Sequence, residues 1–250
     1  MTPLPSGRLL ILSDLHANLE ALDAVLADAA AARYDQVVVL GDLVGYGADP
    51  GTVIDRVAAL APIAMIRGNH DKVCAGIDTP LAFNDMARHS IEWTVTKLTP
   101  AQLAYLADLP VGPHLVTPDL EICHGAPFDE DHYIFDSDDA LRAIYSASAR
   151  VCLFGHTHVQ GMFALRGADQ PQPPDDDGVF QLPARSKILI NVGSVGQPRD
   201  GDPRAAYGIL DVERNTIALR RIDYDIKEAQ RKIRRARLPE PHAARLAHGN

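Results

Sequence analysis

Leu9-Leu10-Ile11-Leu12-Ser13-Asp14-Leu15-His16 is the stretch that decides the architecture. A short apolar run of this kind reads as a strand covered on both faces, and the carboxylate and imidazole that follow at once stand at its carboxyl end. The pattern returns downstream. Val37-Val38-Val39-Leu40 leads into Gly41-Asp42, and Ile63-Ala64-Met65-Ile66 leads into Gly68-Asn69-His70-Asp71, so Asp14, Asp42 and Asn69 are separated by steps of 28 and 27 residues. Each step is the length of one strand-helix unit, and an intervening helix makes successive strands parallel. Leu120-Glu121-Ile122-Cys123 before His124, and Val151-Cys152-Leu153-Phe154 before Gly155-His156-Thr157-His158, repeat the arrangement. In open α/β sheets ligand sites lie beyond the carboxyl ends of the strands, so five strand ends converge on one place.

The gathered groups are carboxylates, imidazoles and one amide. That mixture suits first-row ions such as manganese, iron, nickel or zinc, whereas a magnesium or calcium site is built almost wholly from oxygen. The set is large enough for two divalent ions. A pair about 3.5–4 Å apart clamps the attacking and leaving oxygens of a phosphoryl transfer, which points to a hydrolase.

Between the strands the helices announce themselves by caps and period. Asn18 caps a helix from Leu19 to Ala32, in which Leu19, Leu22, Val25, Leu26 and Ala29 fall at helical spacing. Thr99-Pro100-Ala101-Gln102 carries a capping residue, proline at the first position and glutamine at the third. With the stretch from Asn84 to Lys97 it forms a helical insert over about residues 83–108, which either covers the site or flanks the sheet. Ser137 to Ala149 is a further crossover helix. After His158 the chain turns strand-rich: Lys187 to Val192, Ala206 to Val212 and Thr216 to Ile222, with a hairpin at Glu213-Arg214-Asn215. A second sheet is therefore expected, giving an α/β fold in which a two-sheet β-sandwich is flanked by helices, four layers in all. Residues 166–186, rich in proline and aspartate, read as a solvated loop. Asp225 with Glu228 opens a C-terminal helix, whose basic run from Arg231 to Arg237 reads as a solvated face, with an oligomer contact or an anion-attracting patch as alternatives.

At 250 residues and 46% hydrophobic content the chain can bury a sizeable core and is most simply one domain. The formal charge of −9 argues against long nucleic acid as a partner, because such binding rests on neutralising phosphates. Three cysteines, no signal-peptide pattern and no apolar run of membrane length point to a reducing, cytoplasmic compartment, with no membrane partner. Cys123 and Cys152 lie in strand runs and read as small buried hydrophobes. His89 and His132 read as surface residues, and Arg67 as packing or pairing near the third strand end.

The ordered set D-x-H, G-D, G-N-H-D, H, G-H-x-H is similar to that of the calcineurin-like metallophosphoesterase superfamily, from Arg8 to about Tyr224. Gly41 to Gly47, Asn84 through Trp93 and Asn191 to Arg199 look like its small prokaryotic phosphodiesterase branch. The Ser/Thr protein phosphatases carry an Asp-Arg pair after the second motif, where this chain has Gly45-Tyr46. The resemblance implies that Asp14, His16, Asp42 and His158 bind one metal and that Asp42, Asn69, His124 and His156 bind the other, manganese being the first choice. It implies a water bridging the ions and ionising near neutrality. His70, left without a metal, is then the candidate to protonate the leaving oxygen, with Asp71 orienting its ring. A singly charged diester needs no guanidinium, so the expected substrates are small phosphodiesters or cyclic nucleotides. The alternative is a small phosphomonoester, which would need another cation such as Arg199; a nuclease or a non-catalytic scaffold ranks below both. The turn from Asn191 to Arg199 brings backbone amides to a phosphate or to the histidines, or is a plain tight turn.

Overall fold

The computed structural model describes residues 7–165 and 178–250. Its first sheet is built from β1 (Arg8–Leu12), β2 (Gln36–Val39) and β3 (Ala64–Met65), with α1 (Leu19–Ala32) and α2 (Pro50–Ala59) as the crossovers. These strands run parallel, as the 28-residue rhythm requires. Next come the short helix α3 (Asn69–Cys74), the pair α4 (Asp85–Lys97) and α5 (Pro100–Ala107), and the edge strand β4 (His114–Thr117). A second sheet grows on β5 (Leu120–Ile122), α6 (Ser137–Ser146), β6 (Val151–Phe154), β7 (Gly161–Ala164), β8 (Val179–Gln181) and β9 (Ile188–Asn191), though β8 crosses over to the first sheet. The chain then returns through β10 (Ala205–Asp211) and β11 (Thr216–Ile222), and ends in α7 (Ile226–Arg235) and α8 (Glu240–Arg245). Strand order is β3-β2-β1-β10-β11-β8 in one sheet and β4-β5-β6-β9-β7 in the other.

Alternation along β1 shows why the layers stack. Leu9 and Ile11 point into the space between the sheets, where they meet Ile122, Leu153, Ile190 and Val192 of the opposite sheet. Leu10 and Leu12 point the other way, onto Leu22 and Val25 of α1 and Val53 and Val57 of α2. All four are fully buried, each stabilising the fold by about 1.5–3 kcal/mol. On the far side, Cys152 and Phe154 of β6 face Ala140, Ala143 and Ile144 of α6. The result is helices, sheet, sheet, helix, the expected four layers.

Caps fall where the residue types place them. The Asn18 side chain accepts from Ala21 N–H, Thr99 and Gln102 close a capping box, and Asp225 accepts from Glu228 N–H. Three expectations shift. The helix after Ser137 ends at Ser146, because Ala147 takes an extended ψ of 137°. Part of the expected loop at 166–186 is ordered sheet: β8 pairs with β11, since Phe180 and Ile217 need the same apolar cover, while residues 166–177 lie outside the described part. The basic helix α7 is only half solvated. Arg231 and Arg234 turn outward onto Glu228 and Glu240, but Ala229 and Ile233 are buried against Ala243 and Leu246 of the following segment. The α4–α5 pair packs onto α3 and extends the helix layer, and only the start of α4 reaches the cleft described below. Among the described residues no helix is long and apolar enough to cross a membrane.

Candidate metal centre

At the carboxyl edge of both sheets the chain must turn sharply as each strand ends. Asp14, His16, Asp42, His156 and His158 all take positive φ, between 47° and 65°. For residues with a Cβ this region costs roughly 1–3 kcal/mol each and is concentrated at functional sites. Backbone bonds hold the turns together: Asp14 N–H donates to Gly41 O at 3.1 Å, His16 N–H to Asp42 O at 3.0 Å, and Gly155 N–H to His124 O at 2.9 Å. Side chains that would otherwise follow the pleat are thereby thrown into one buried spot.

Two groups form there and share a carboxylate. In the first, His158 Nε2 lies 3.3 Å from Asp14 Oδ1 and 3.1 Å from His16 Nε2, and His16 Nε2 lies 3.6 Å from Asp42 Oδ2. In the second, His124 Nε2 lies 3.4 Å from the same Asp42 Oδ2 and 3.3 Å from Asn69 Oδ1, with His156 alongside. Every residue that the resemblance implies as a ligand is present.

The tautomers make the case for cations. Nδ1 of His16, His124 and His158 sits 3.0, 2.8 and 2.6 Å from the carbonyl oxygens of Val44, Leu40 and Gln197. In His156 it is Nε2 that sits 3.0 Å from Asp131 O. A carbonyl only accepts, so each of these nitrogens carries the hydrogen and the other ring nitrogen faces the cluster as a lone pair. Two lone pairs 3.1 Å apart, on His16 and His158, repel each other; a shared cation removes the conflict. Charge agrees. Burial disfavours the protonated form of these rings, holding His16 and His158 below the ordinary histidine value and pushing His156 down to about 3. Burial works against ionised Asp14 and Asp42 too, but His158 and His124 respectively outweigh it and keep both carboxylates ionised. In His124 burial is likewise outweighed by Asp42, which lifts that ring to about 10. A proton and a divalent ion thus compete for one lone pair. No lysine or arginine pairs with either aspartate among the described residues.

His70 stands beside this cluster and outside both groups. Its backbone N–H donates to Asp42 Oδ1 at 2.9 Å, and its ring is wedged among His16, Tyr46 and Phe83, with no hydrogen-bond partner for Nδ1. Burial lowers its pKa to about 4. Asp71 does not orient this ring. Its Oδ1 accepts from the Leu43 and Val44 amides at 2.9 and 3.3 Å, and its Oδ2 from Gly68 N–H at 3.0 Å, because the turn after β2 presents two amides, and the turn after β3 a third, that need a buried acceptor. Asp71 therefore clamps the loop that carries Asp42.

The remaining expectations sort themselves by partner. Arg67 is held by both oxygens of Glu130, His132 bonds to Asp139, and His89 is exposed. Ser194 Oγ donates to Asp14 O and accepts from Gln197 N–H, so it fixes the turn beneath the ligands. A cleft of about 330 Å³ opens over Asn69 and His156. Tyr133, stacked on His156 with ring centroids 3.7 Å apart, forms one wall, and Arg199 and Arg245 another. Tyr133 and Arg245 escape sequence reasoning: one lies in an irregular loop and the other on the short helix α8, with no motif to mark either.

Face-to-face mixed sheets with a buried Asp/His cluster suited to a divalent cation at their carboxyl edge are the arrangement expected of a metal-dependent phosphoester hydrolase. The chain belongs to the calcineurin-like phosphoesterase superfamily, whose domain matches it over residues 8–215. It is 32% identical over 241 residues to a protein of Methanocaldococcus jannaschii, covering 96% of this chain and 97% of that one. A metallophosphoesterase from Sphaerobacter thermophilus is similar at 38% identity and TM-score 0.85, covering 98% of this chain and all of that one. A hypothetical protein from Pyrococcus horikoshii OT3, at 21% identity, TM-score 0.77 and coverage of 97% and 98%, shares the fold.

Proposed function

We propose that this protein is a dinuclear phosphoesterase of the cytoplasm that hydrolyses small phosphodiesters, cyclic nucleotides among them. The observation that carries the proposal is Asp42, one carboxylate common to both ligand groups. A carboxylate has two oxygens and a full charge, so it can serve two cations and offset their repulsion. Asp14, His16, Asp42 and His158 would hold one ion, and Asp42, Asn69, His124 and His156 the other, with manganese first and iron, nickel or zinc as alternatives. When bound, the ions would acidify water and neutralise charge on the phosphoryl oxygens. The chain does the rest. Backbone carbonyls hold the four imidazoles in register, Tyr133 and Phe83 wall the cleft, and His70 would pass a proton to the leaving oxygen.

Support for diesters is the absence of an arginine at Tyr46, whose ring instead packs on His16 and His70. A second reading, a small phosphomonoester, is favoured by Arg199, which faces the same cleft from the turn after β9. Long nucleic acid is not an expected partner on either reading. The test is metal content together with side-by-side kcat/KM for bis-p-nitrophenyl phosphate, cyclic nucleotides and p-nitrophenyl phosphate, after manganese is returned to metal-free protein. Close to two metal equivalents and a diester preference are expected. At most a trace of metal overturns the dinuclear reading, and a monoester preference above about tenfold, or 1.4 kcal/mol, overturns the diester one.

A further inference from the structure

Arg199 and Arg245 line the cleft together, and neither meets a carboxylate among the described residues. Among the described residues their one shared hydrogen-bond partner is Gln197, whose Oε1 accepts from Arg199 Nη2 at 3.1 Å and from Arg245 Nη1 at 3.2 Å. Arg199 Nη2 also lies 3.4 Å from the Tyr46 hydroxyl, while its buried Nε has no hydrogen-bond partner among the described residues. One neutral amide oxygen thus draws two like charges together, an arrangement that opposes itself unless an anion joins them. Burial and the neighbouring Arg199 both lower the pKa of Arg245 from its ordinary value, as expected for crowded cations.

The other cation of the cleft behaves differently. Lys72 is saturated, its Nζ lying 2.5 Å from Asp131, 3.3 Å from Glu130 and 3.3 Å from Asp78. Lys232, at the base of α7, is likewise held by Glu20 and Asp49. Among the described residues the guanidinium pair is left unmatched, in a chain that carries more acidic than basic residues. The pair also stands next to the chemistry. Tyr46, under Arg199, packs on His16 with centroids 4.7 Å apart, and Tyr133, whose hydroxyl faces Arg199, stacks on His156. Planar forks of this kind match phosphate oxygens in bidentate fashion.

We propose that Arg199 and Arg245, bridged by Gln197, form a subsite for an unesterified phosphate dianion beside the metal centre. The proposal deepens the phosphoesterase reading and rests on it for the word substrate. Arg245 reaches the subsite from α8, so the C-terminal segment is a specificity element and not a solvated tail. The dianion has two possible sources, the reacting phosphorus of a monoester or a second phosphate carried elsewhere on a diester. Both present the same oxygens.

Binding is tested first without turnover, by titrating inorganic phosphate into metal-free protein in a calorimeter. Wild type should bind, Arg245→Gln and Arg199→Gln should bind at least tenfold more weakly, and Arg245→Lys should recover part of the loss; melting curves report whether each variant is folded. Phosphate affinity unchanged in both glutamine variants, or no binding by wild type, overturns the subsite whatever the enzyme hydrolyses. Kinetics then separate the sources. With Arg245→Gln, a KM rise of about tenfold or more at similar kcat for p-nitrophenyl phosphate alone places the dianion at the reacting phosphorus. The same rise confined to thymidine 3′-phosphate 5′-(p-nitrophenyl phosphate) places it on a second phosphate. An equal change for these two and for bis-p-nitrophenyl phosphate overturns the assignment. Because the calorimetry uses no metal and no turnover, a chain that binds phosphate but hydrolyses nothing would refute the phosphoesterase reading and leave the subsite standing.

Discussion

Replacing Gly68 by alanine adds one methyl group and removes no ligand, yet it should dismantle the candidate metal centre. Gly68 has φ −101° and ψ 179°, an ordinary extended conformation, so alanine brings no backbone strain. What the new Cβ meets is Asp42: it would stand 2.5 Å from the Asp42 amide nitrogen, 2.6 Å from Cγ and closer still to Oδ1, where real Cβ atoms keep beyond 3.0 Å. Relief requires the shared carboxylate to retreat by roughly half an ångström to one ångström, whereas metal–ligand distances tolerate about 0.2 Å. A misplacement on this scale costs about 100-fold in rate, and disturbed ligand support about 10- to 100-fold in metal affinity. The fold itself should lose only about 1–3 kcal/mol, the usual cost of overpacking. Elemental analysis after desalting, manganese titration and kcat measure the first two effects, and urea unfolding in EDTA measures the third. Gly161→Ala is the control, because nothing lies within 4 Å of its added Cβ. If Gly68→Ala retains two metal equivalents and a kcat within about threefold of wild type, Asp42 is not the shared ligand that the geometry makes it.

Two further predictions concern histidines outside the ligand set. His70→Ala should keep its metals and lower kcat by roughly 10²–10⁴-fold, with the greatest loss for alkoxide leaving groups; equal loss for p-nitrophenol and ribose esters would assign His70 to charge stabilisation instead. His242 is buried, its Nε2 faces Met86 O at 3.3 Å, and burial pushes its pKa down to about 4 from 6.5. Above pH 6.5 the ring is neutral in both folded and unfolded chains and contributes nothing. As pH falls from 6.5 towards 4 the unfolded chain takes up the proton first, so stability drops, by about 3 kcal/mol once the pH is below 4. Urea unfolding of EDTA-treated wild type and His242→Gln between pH 7.5 and 4.5 should show the two curves converging in acid, and a gap that does not vary with pH would contradict this.

The residues of the Asp/His cluster were legible because each comes within a few positions of a strand end, so strand period and cluster membership are read from the same few residues. Asp14, Asp42 and Asn69 also mark the βα rhythm, which is why the parallel half of the first sheet could be derived. Helices with caps at Asn18, Thr99 and Asp225 were equally plain, since a cap is a local bond between residues three apart. Edges were not. β4, β7 and β8 are three or four residues long, and β8 owes its existence to pairing with β11, a partner supplied from more than thirty residues away. Asp71 was misread for a related reason: its neighbours in sequence pointed to His70, but the amides it serves come from Leu43 and Val44 across the turn. Tyr133 and Arg245 meet the cleft only through tertiary packing, which no spacing encodes.

β1 pairs on one side with β2 and on the other with β10, and the first of these partners is made early while the second comes roughly 190 residues later. At 5–20 residues per second a ribosome takes about 10–40 s to cover that distance. For that interval Leu9 to Leu12 have one edge without its final partner. The same delay applies to the cluster at the sheet edge. Asp14 O accepts from Gly196 N–H at 2.9 Å and from Ser194 Oγ at 2.8 Å, so the first ligand loop gains its outer support only as residues 194–196 leave the exit tunnel. The turn that carries Asp14 is therefore completed late in synthesis, once the two ends of the fold have met.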